Sequence, residues 1–180
     1  MKKTLVVNLF GAPGAGKSTG AAYIFSRLKM MGVDAELITE FPKDMVWEHN
    51  EKAVDNQVYV LGQQYFRQYR CDGEVDVIIT DSPILLGILY NKNEKIAKPF
   101  NELTLATFNL SNNINYFVNR EKEYSPNGRL HTEKQANEIA GKNKDLLENY
   151  GIEYTEIEGT ITGYEEVVYD IMDKVRNNND

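Results

Sequence analysis

The feature that most constrains this chain is the run Gly11-Ala12-Pro13-Gly14-Ala15-Gly16-Lys17-Ser18-Thr19, which follows the apolar segment from Leu5 to Phe10. Its spacing, glycine, four residues, then Gly-Lys-Ser, is that of a phosphate-binding loop set between a buried strand and a helix. Each part has a physical task. The glycines let backbone N–H groups turn inward and approach phosphates with no side chain in the way. A helix opening near Gly16 offers free N–H groups and the positive end of its dipole to the same anion. Lys17 is long enough to reach the β- and γ-phosphates, and the Ser18 hydroxyl is a Mg²⁺ ligand. ATP and Mg²⁺ are therefore the expected ligands, held by Gly11 to Thr19. A glycine turn with no ligand does not account for the Lys-Ser pair in its strand–loop–helix setting.

The remaining pattern repeats strand and helix. A helix from Gly16 to Gly32 places Ala21, Phe25 and Leu28 on one face. Short apolar runs at Ala35 to Thr39, Val75 to Thr80, Ile114 to Val118 and Ile152 to Ile157 read as further strands. Helices are expected over 53–70, with Val54, Val58, Leu61, Tyr65 and Tyr69 inward, and over 84–90, 100–110, 132–149 and 164–175. Strands alternating with helices imply a parallel sheet covered on both faces. The predicted class is α/β: a three-layer P-loop NTPase fold with a parallel five-stranded sheet, in one domain over residues 1–180.

Two acids stand where ligands collect, at the carboxyl ends of predicted parallel strands. Asp81 ends the third strand and can hold Mg²⁺ directly or through water; capping the turn at Ser82-Pro83 is its other role. Glu40 follows the second strand and can accept a proton from an attacking hydroxyl, or it is a surface carboxylate. The polar segment from Arg120 to Arg129, with the turn signal Pro126-Asn127-Gly128, is either an exposed charged loop or a lid over about 120–131. In a lid, Arg120 and Arg129 suit the charge that spreads over a transferring phosphoryl group, and closure excludes water.

Charge and composition narrow the function. There are 20 Lys and Arg against 27 Asp and Glu, a net charge of −7, which disfavours broad attraction to nucleic acid. Cys71 is the only cysteine, so neither a disulfide framework nor a cysteine metal cluster is available. The apolar run after Met1-Lys2-Lys3 is interrupted at Asn8, against a signal peptide, and a cytoplasmic setting is expected. His49 and His131 lack metal-site spacing. Asn91-Lys92-Asn93-Glu94 ends in Glu and follows a helix, so it is not the base-reading element of a GTP switch. The chain leaves little room for the further helical domain of an oligomeric motor ATPase. A small kinase remains, a phosphotransferase with an alcohol acceptor, beside an ATP-hydrolysing or ATP-sensing regulatory module.

Gly11 to Thr19, Glu40-Phe41-Pro42, Val77 to Pro83 and the 120–129 segment resemble the thymidylate-kinase and deoxynucleoside-kinase group, and the related ATPase domain of nicotinamide riboside kinases. The resemblance implies that Glu40 acts at the acceptor hydroxyl and that Arg120 and Arg129 contact phosphates. It implies adenine held near Gly159-Thr160 and a nucleoside-like substrate. Asp81-Ser82-Pro83 departs from the acid-arginine pair of many relatives, which counts against a monophosphate acceptor. Glu40 to Trp47, Asp55-Asn56-Gln57 and Asp81-Ser82-Pro83 are similar to phage members that phosphorylate 5-hydroxymethyluracil within DNA, the leading specific candidate. Gln57, Gln64 and Gln68 offer amides to a base or form a polar border on their helix. Phe41, Trp47 and Tyr65 offer rings to stack or to pack. Lys43, Arg67 and Arg70 are candidate contacts to DNA phosphates or plain surface charge.

Overall fold

The computed structural model describes residues 3–121 and 133–179. Its strands are β1 (Leu5–Phe10), β2 (Ala35–Ile38), β3 (Val77–Thr80), β4 (Asn112–Asn119) and β5 (Thr155–Glu158). They form one five-stranded sheet, ordered β2-β3-β1-β4-β5 and parallel throughout. All six residues of β1 are buried, which is why it reads as a continuous apolar run rather than an alternation. Register sets where the strand ends fall. Ile38 pairs with Thr80, and Thr80 with Asn8, so Glu40, Asp81 and Gly11 leave the sheet at one edge.

The first helix, α1 (Lys17–Met30), and the last, α8 (Ile161–Asn179), share one face of the sheet. Ile24, Leu28, Val167, Val168 and Ile171 close there over Leu5, Val7, Leu9, Val77 and Ile79. Ala21 and Leu28 are buried as expected and Phe25 half-buried, and Ile24 completes the stripe. The opposite face packs Phe10 and Phe117 against Leu61, Phe100, Phe108 and Leu147.

The segment between β2 and β3 differs most from expectation. In place of one helix over 53–70 there are three: α2 (Phe41–Trp47), α3 (Glu51–Asp55) and α4 (Gln57–Tyr69). Asn56 leaves helical geometry between the last two, and its side chain accepts the Tyr59 N–H at 3.2 Å, capping α4. The buried face of α4 is also rotated from the expected one. Val58 and Tyr69 are exposed, whereas Gln57, Gln64 and Gln68 are buried beside Val60 and Leu61. The reason is local: α4 lies against strand ends and turns whose polar groups need partners. Gln64 accepts the Phe41 N–H at 2.9 Å and donates to the Thr39 carbonyl at 3.3 Å. Gln68 donates to Ser111 Oγ at 2.7 Å and Gln57 to the Val54 carbonyl at 2.9 Å. Buried amides so engaged satisfy the rule that interior polar groups are paired.

Other departures lie at element ends. β3 and β5 start at Val77 and Thr155, later than expected, and β4 runs longer. Residues 84–90 split into a 3-10 turn, Ile84–Leu86, and α5 (Gly87–Tyr90). Then come α6 (Ala97–Phe108) and α7 (Glu133–Asn149), and α8 extends past 164–175 at both ends. Among the described residues no helix is long and apolar enough to cross a membrane.

Candidate nucleotide and acceptor site

The loop after β1 is held from three sides. Gly11 has φ of 135° and an added Cβ would lie 2.6 Å from the Val118 carbonyl oxygen, so β4 admits only glycine there. Gly16, at φ 101°, is the N-cap of α1 in left-handed geometry. Its carbonyl accepts from the Tyr164 hydroxyl of α8 at 3.1 Å, and an added Cβ would collide with that hydroxyl. From the third side Asn143 of α7 donates to the Gly11 carbonyl at 3.2 Å. The Ala15 N–H closes the loop on the Ala12 carbonyl at 3.1 Å. Lys17 folds back over this frame, its ammonium donating to the Gly11 and Ala12 carbonyls at 2.9 and 3.0 Å. Ser18 and Thr19 are exposed at the mouth, and Gly14, Gly16 and Pro13 are half-buried.

Asp81 is buried at 8% exposure, and its Oδ1 has no hydrogen-bond partner. The turn after β3 is closed by other atoms: the Ser82 N–H donates to Thr80 Oγ1 at 3.1 Å, and Pro83 opens the 3-10 turn with no side-chain cap. The capping role for Asp81 is therefore not realised. A buried carboxylate oxygen left over is what a hard cation or its water takes up, so the Asp81 carboxylate fits a cation such as Mg²⁺. Among the described residues no group of three or more His, Cys, Asp or Glu could hold a metal. Mg²⁺ in a nucleotide site needs none, because phosphates and waters supply the remaining oxygens.

Glu40 occupies the N-cap position of α2 but makes no side-chain cap bond. Burial pushes its carboxyl above the ordinary range, and the negative charge of Asp81 pushes it further; Lys17 and Lys43 act in the opposite direction, and Asp44 adds a smaller upward push. Glu40, Asp81 and Lys17 are thus electrostatic neighbours, although Lys17 and Glu40 lie 23 positions apart and Glu40 and Asp81 41 positions apart in the chain. Tyr90, at the end of α5, joins them. Although 43% of the residue is exposed, partial burial raises its hydroxyl pKa, and the Glu40 charge raises it too. Neither hydrophobic spacing nor a motif singles out Tyr90.

The remaining expected residues are scattered more widely. Arg120 comes after β4 and donates through Nη2 to Asn137 Oδ1 on α7 at 2.9 Å. Arg129, Lys122 and His131 lie outside the described residues. Gly159 is buried next to the loop, its N–H on the Asn119 carbonyl at 2.9 Å, and Thr160 Oγ1 accepts the Gly163 N–H at 3.2 Å as α8 begins. Phe41 is buried, Tyr65 half-buried, and Trp47, 76% exposed, stands out into solvent. Arg67 is committed: it donates to Asp44 at 2.5 Å and to the Thr39 carbonyl at 3.3 Å, and its guanidinium lies 5.2 Å from the Phe41 ring centre. Lys43 and Arg70 are exposed. Tyr164 and Asn143, which brace the loop, were not singled out by sequence reasoning. Gly163-Tyr164 shortly after Gly159-Thr160 was the only local hint.

Fold and loop together define a P-loop NTPase-like protein. A family model described as an AAA domain matches residues 6–166, and the chain belongs to that family. Among curated proteins there is no match. A solved structure described as NadR protein in complex with NR has the same fold, at a TM-score of 0.66 and 16% identity, over 96% of this chain and 52% of that one. The chain thus spans about half the length of that protein.

Proposed function

We propose that residues 1–180 form a single kinase domain that transfers the γ-phosphoryl group of ATP to a hydroxyl of a nucleoside-like acceptor, with a lid at about 120–131. The observation that carries this reading is Glu40. Burial and the charge of Asp81 make it more basic than an ordinary glutamate, beside the lysine of the phosphate loop. A module that only senses ATP has no use for a second, proton-accepting carboxylate there, and transfer is told from hydrolysis by which nucleophile, the acceptor hydroxyl or water, gives up its proton.

Gly11 to Thr19 cradle the phosphates, and Lys17 turns from its carbonyls to the β- and γ-oxygens. Mg²⁺ held by Ser18 and Asp81 would supply charge neutralisation at those oxygens. Glu40 takes the proton of the acceptor hydroxyl as its oxygen bonds the γ-phosphorus. The bond from that phosphorus to the β,γ-bridging oxygen breaks, and ADP leaves. Asp81 holds the metal side, Tyr90 and Phe41 wall the acceptor side, and Arg120 and Arg129 complete the charge around the transferring group.

A free nucleoside-like acceptor, nicotinamide riboside among them, fits best. The polymeric candidate, 5-hydroxymethyluracil in phage DNA, calls on Lys43, Arg67 and Arg70 for phosphate contacts, and Arg67 is already engaged within the fold. The test is a screen with γ-labelled ATP over nucleosides, nucleotides, nicotinamide riboside and hydroxymethyluracil DNA. Label is expected on a free nucleoside-like hydroxyl. Label on DNA alone, weakened steeply by salt, replaces the free acceptor with the polymeric one. ATP hydrolysis with no acceptor labelled replaces the kinase with the regulatory module.

A further inference from the structure

The Lys17 ammonium donates to two carbonyls of its own loop, Gly11 and Ala12, at 2.9 and 3.0 Å. To serve the β- and γ-phosphates it must turn away from both. A buried carbonyl that loses its donor bears the full penalty of desolvation, which would hold the lysine back. Each of these carbonyls, however, has a second donor. Ala12 O accepts the Ala15 N–H at 3.1 Å, from within the loop. Gly11 O accepts Asn143 Nδ2 at 3.2 Å, from a residue 132 positions away on α7.

Asn143 is an unusual residue in its place. It is 1% exposed on a helix whose other buried residues, Ala136, Leu146 and Leu147, are apolar. Its Oδ1 is buried with no partner, so the side chain is not there to satisfy itself. An amide interred at that cost makes one bond, and the bond goes to the phosphate loop. The Gly11 peptide also has little freedom to turn toward another donor, because β4 presses on it at the Val118 carbonyl.

We propose that Asn143 is a positioning residue for nucleotide binding. Its amide keeps the Gly11 carbonyl satisfied when Lys17 leaves, so the lysine is released to the phosphates while the loop keeps its shape. α7 thereby serves both sides of the nucleotide, since Asn137 of the same helix holds Arg120 at 2.9 Å. The inference rests on Lys17 being a phosphate ligand.

A double-mutant cycle tests it, with ADP·Mg²⁺ affinity as the readout for the wild type, Asn143→Leu, Lys17→Ala and the double variant. Loss of one neutral hydrogen bond corresponds to about 3- to 10-fold weaker binding for Asn143→Leu. With Lys17 already alanine there is no lysine to hold back, and the same substitution is expected to cost less than about 2-fold. Equal losses in the two backgrounds would reduce Asn143 to a packing residue and overturn the proposal. A Lys17→Ala variant that binds as tightly as wild type would overturn the reading of Lys17 instead. Asn143→Ser removes the reach of the amide but stays small and polar, and it carries the same cycle if the leucine variant does not fold.

Discussion

The phosphate loop and the side proposed for the acceptor are built by different means. The phosphate loop is one contiguous stretch, and its working groups are largely backbone. β4, α7 and α8 press on it through Val118, Asn143 and Tyr164, so its shape is determined by tightly packed, local geometry. The side proposed for the acceptor gathers Glu40 and Tyr90 beside Asp81, each at the end of a different element. Its surroundings are short helices with exposed residues such as Trp47 and Tyr69. In the proposed reading, one side would meet a constant ligand, a polyphosphate, with a constant device. The other presents a few side chains whose chemistry is set by their neighbours, which is the arrangement that tolerates change of substrate.

If that contrast holds, damage to the two sides separates in the kinetics. The largest effect is expected at the acceptor side. Glu40→Gln keeps shape and removes the base, so transfer should fall by about 10²–10⁴-fold. Nucleotide binding, measured separately by calorimetry, should survive. An equal loss of ATP·Mg²⁺ affinity would move Glu40 to the metal site and erase the distinction. Next comes Lys17→Ala, which removes a charge from the phosphates; by analogy with oxyanion donors it should raise the barrier by about 2.7–4 kcal/mol. Single-turnover transfer by a protein of unchanged circular dichroism checks it.

Gly11→Ala sharpens the comparison from the structural end. The new Cβ meets the Val118 backbone oxygen at 2.6 Å in a conformation that side chains avoid, and neither partner is a flexible chain end. A loss of about 1–3 kcal/mol in denaturant stability is expected, along with weakened nucleotide binding. An alanine tolerated without loss would mean that the loop is not rigidly braced.

The smallest effect concerns pH. Burial and Asp81 favour the protonated form of Glu40, so its folded pKa lies above its unfolded one. Its contribution to stability is therefore full below the unfolded pKa and is lost as pH rises through the raised folded value. At a pH above the raised Glu40 pKa, where the carboxylate is charged, Glu40→Gln should melt slightly higher than wild type, and the gap should close in acid. Transfer should lose its acidic limb at a pH above the ordinary glutamate range. A variant that melts lower above the raised pKa would show that the charged carboxylate is stabilised by its surroundings rather than penalised by them.

Many of these features could be read from local patterns. Gly11 to Ser18 announces itself because phosphate binding is done by consecutive backbone groups, whose spacing is preserved in the chain. The central strands β1 and β3 stand out as apolar runs because a parallel sheet buries both of their faces, whereas the edge strand β5 is exposed at three of its four residues. The segment from Phe41 to Tyr69 was not, because hydrophobic periodicity treats glutamine as polar. Gln64 and Gln68 became interior residues because partners distant in sequence, Thr39 and Ser111, satisfy their amides, whereas Gln57 is paired locally with the Val54 carbonyl.

The sequence by itself determined the class of fold, the loop, and the two acids at strand ends, since these depend on short-range order along the chain. Tertiary structure decided how they work. The Ile38–Thr80 and Asn8–Thr80 register brings Glu40, Asp81 and Gly11 to one edge, where burial first and the charge of Asp81 second raise the basicity of Glu40. The bonds from Asn143 to Gly11 and from Tyr164 to Gly16 span most of the chain. Charge interaction and hydrogen bonding act over a few ångströms of space. No spacing in the sequence encodes which distant side chains will fall within that reach.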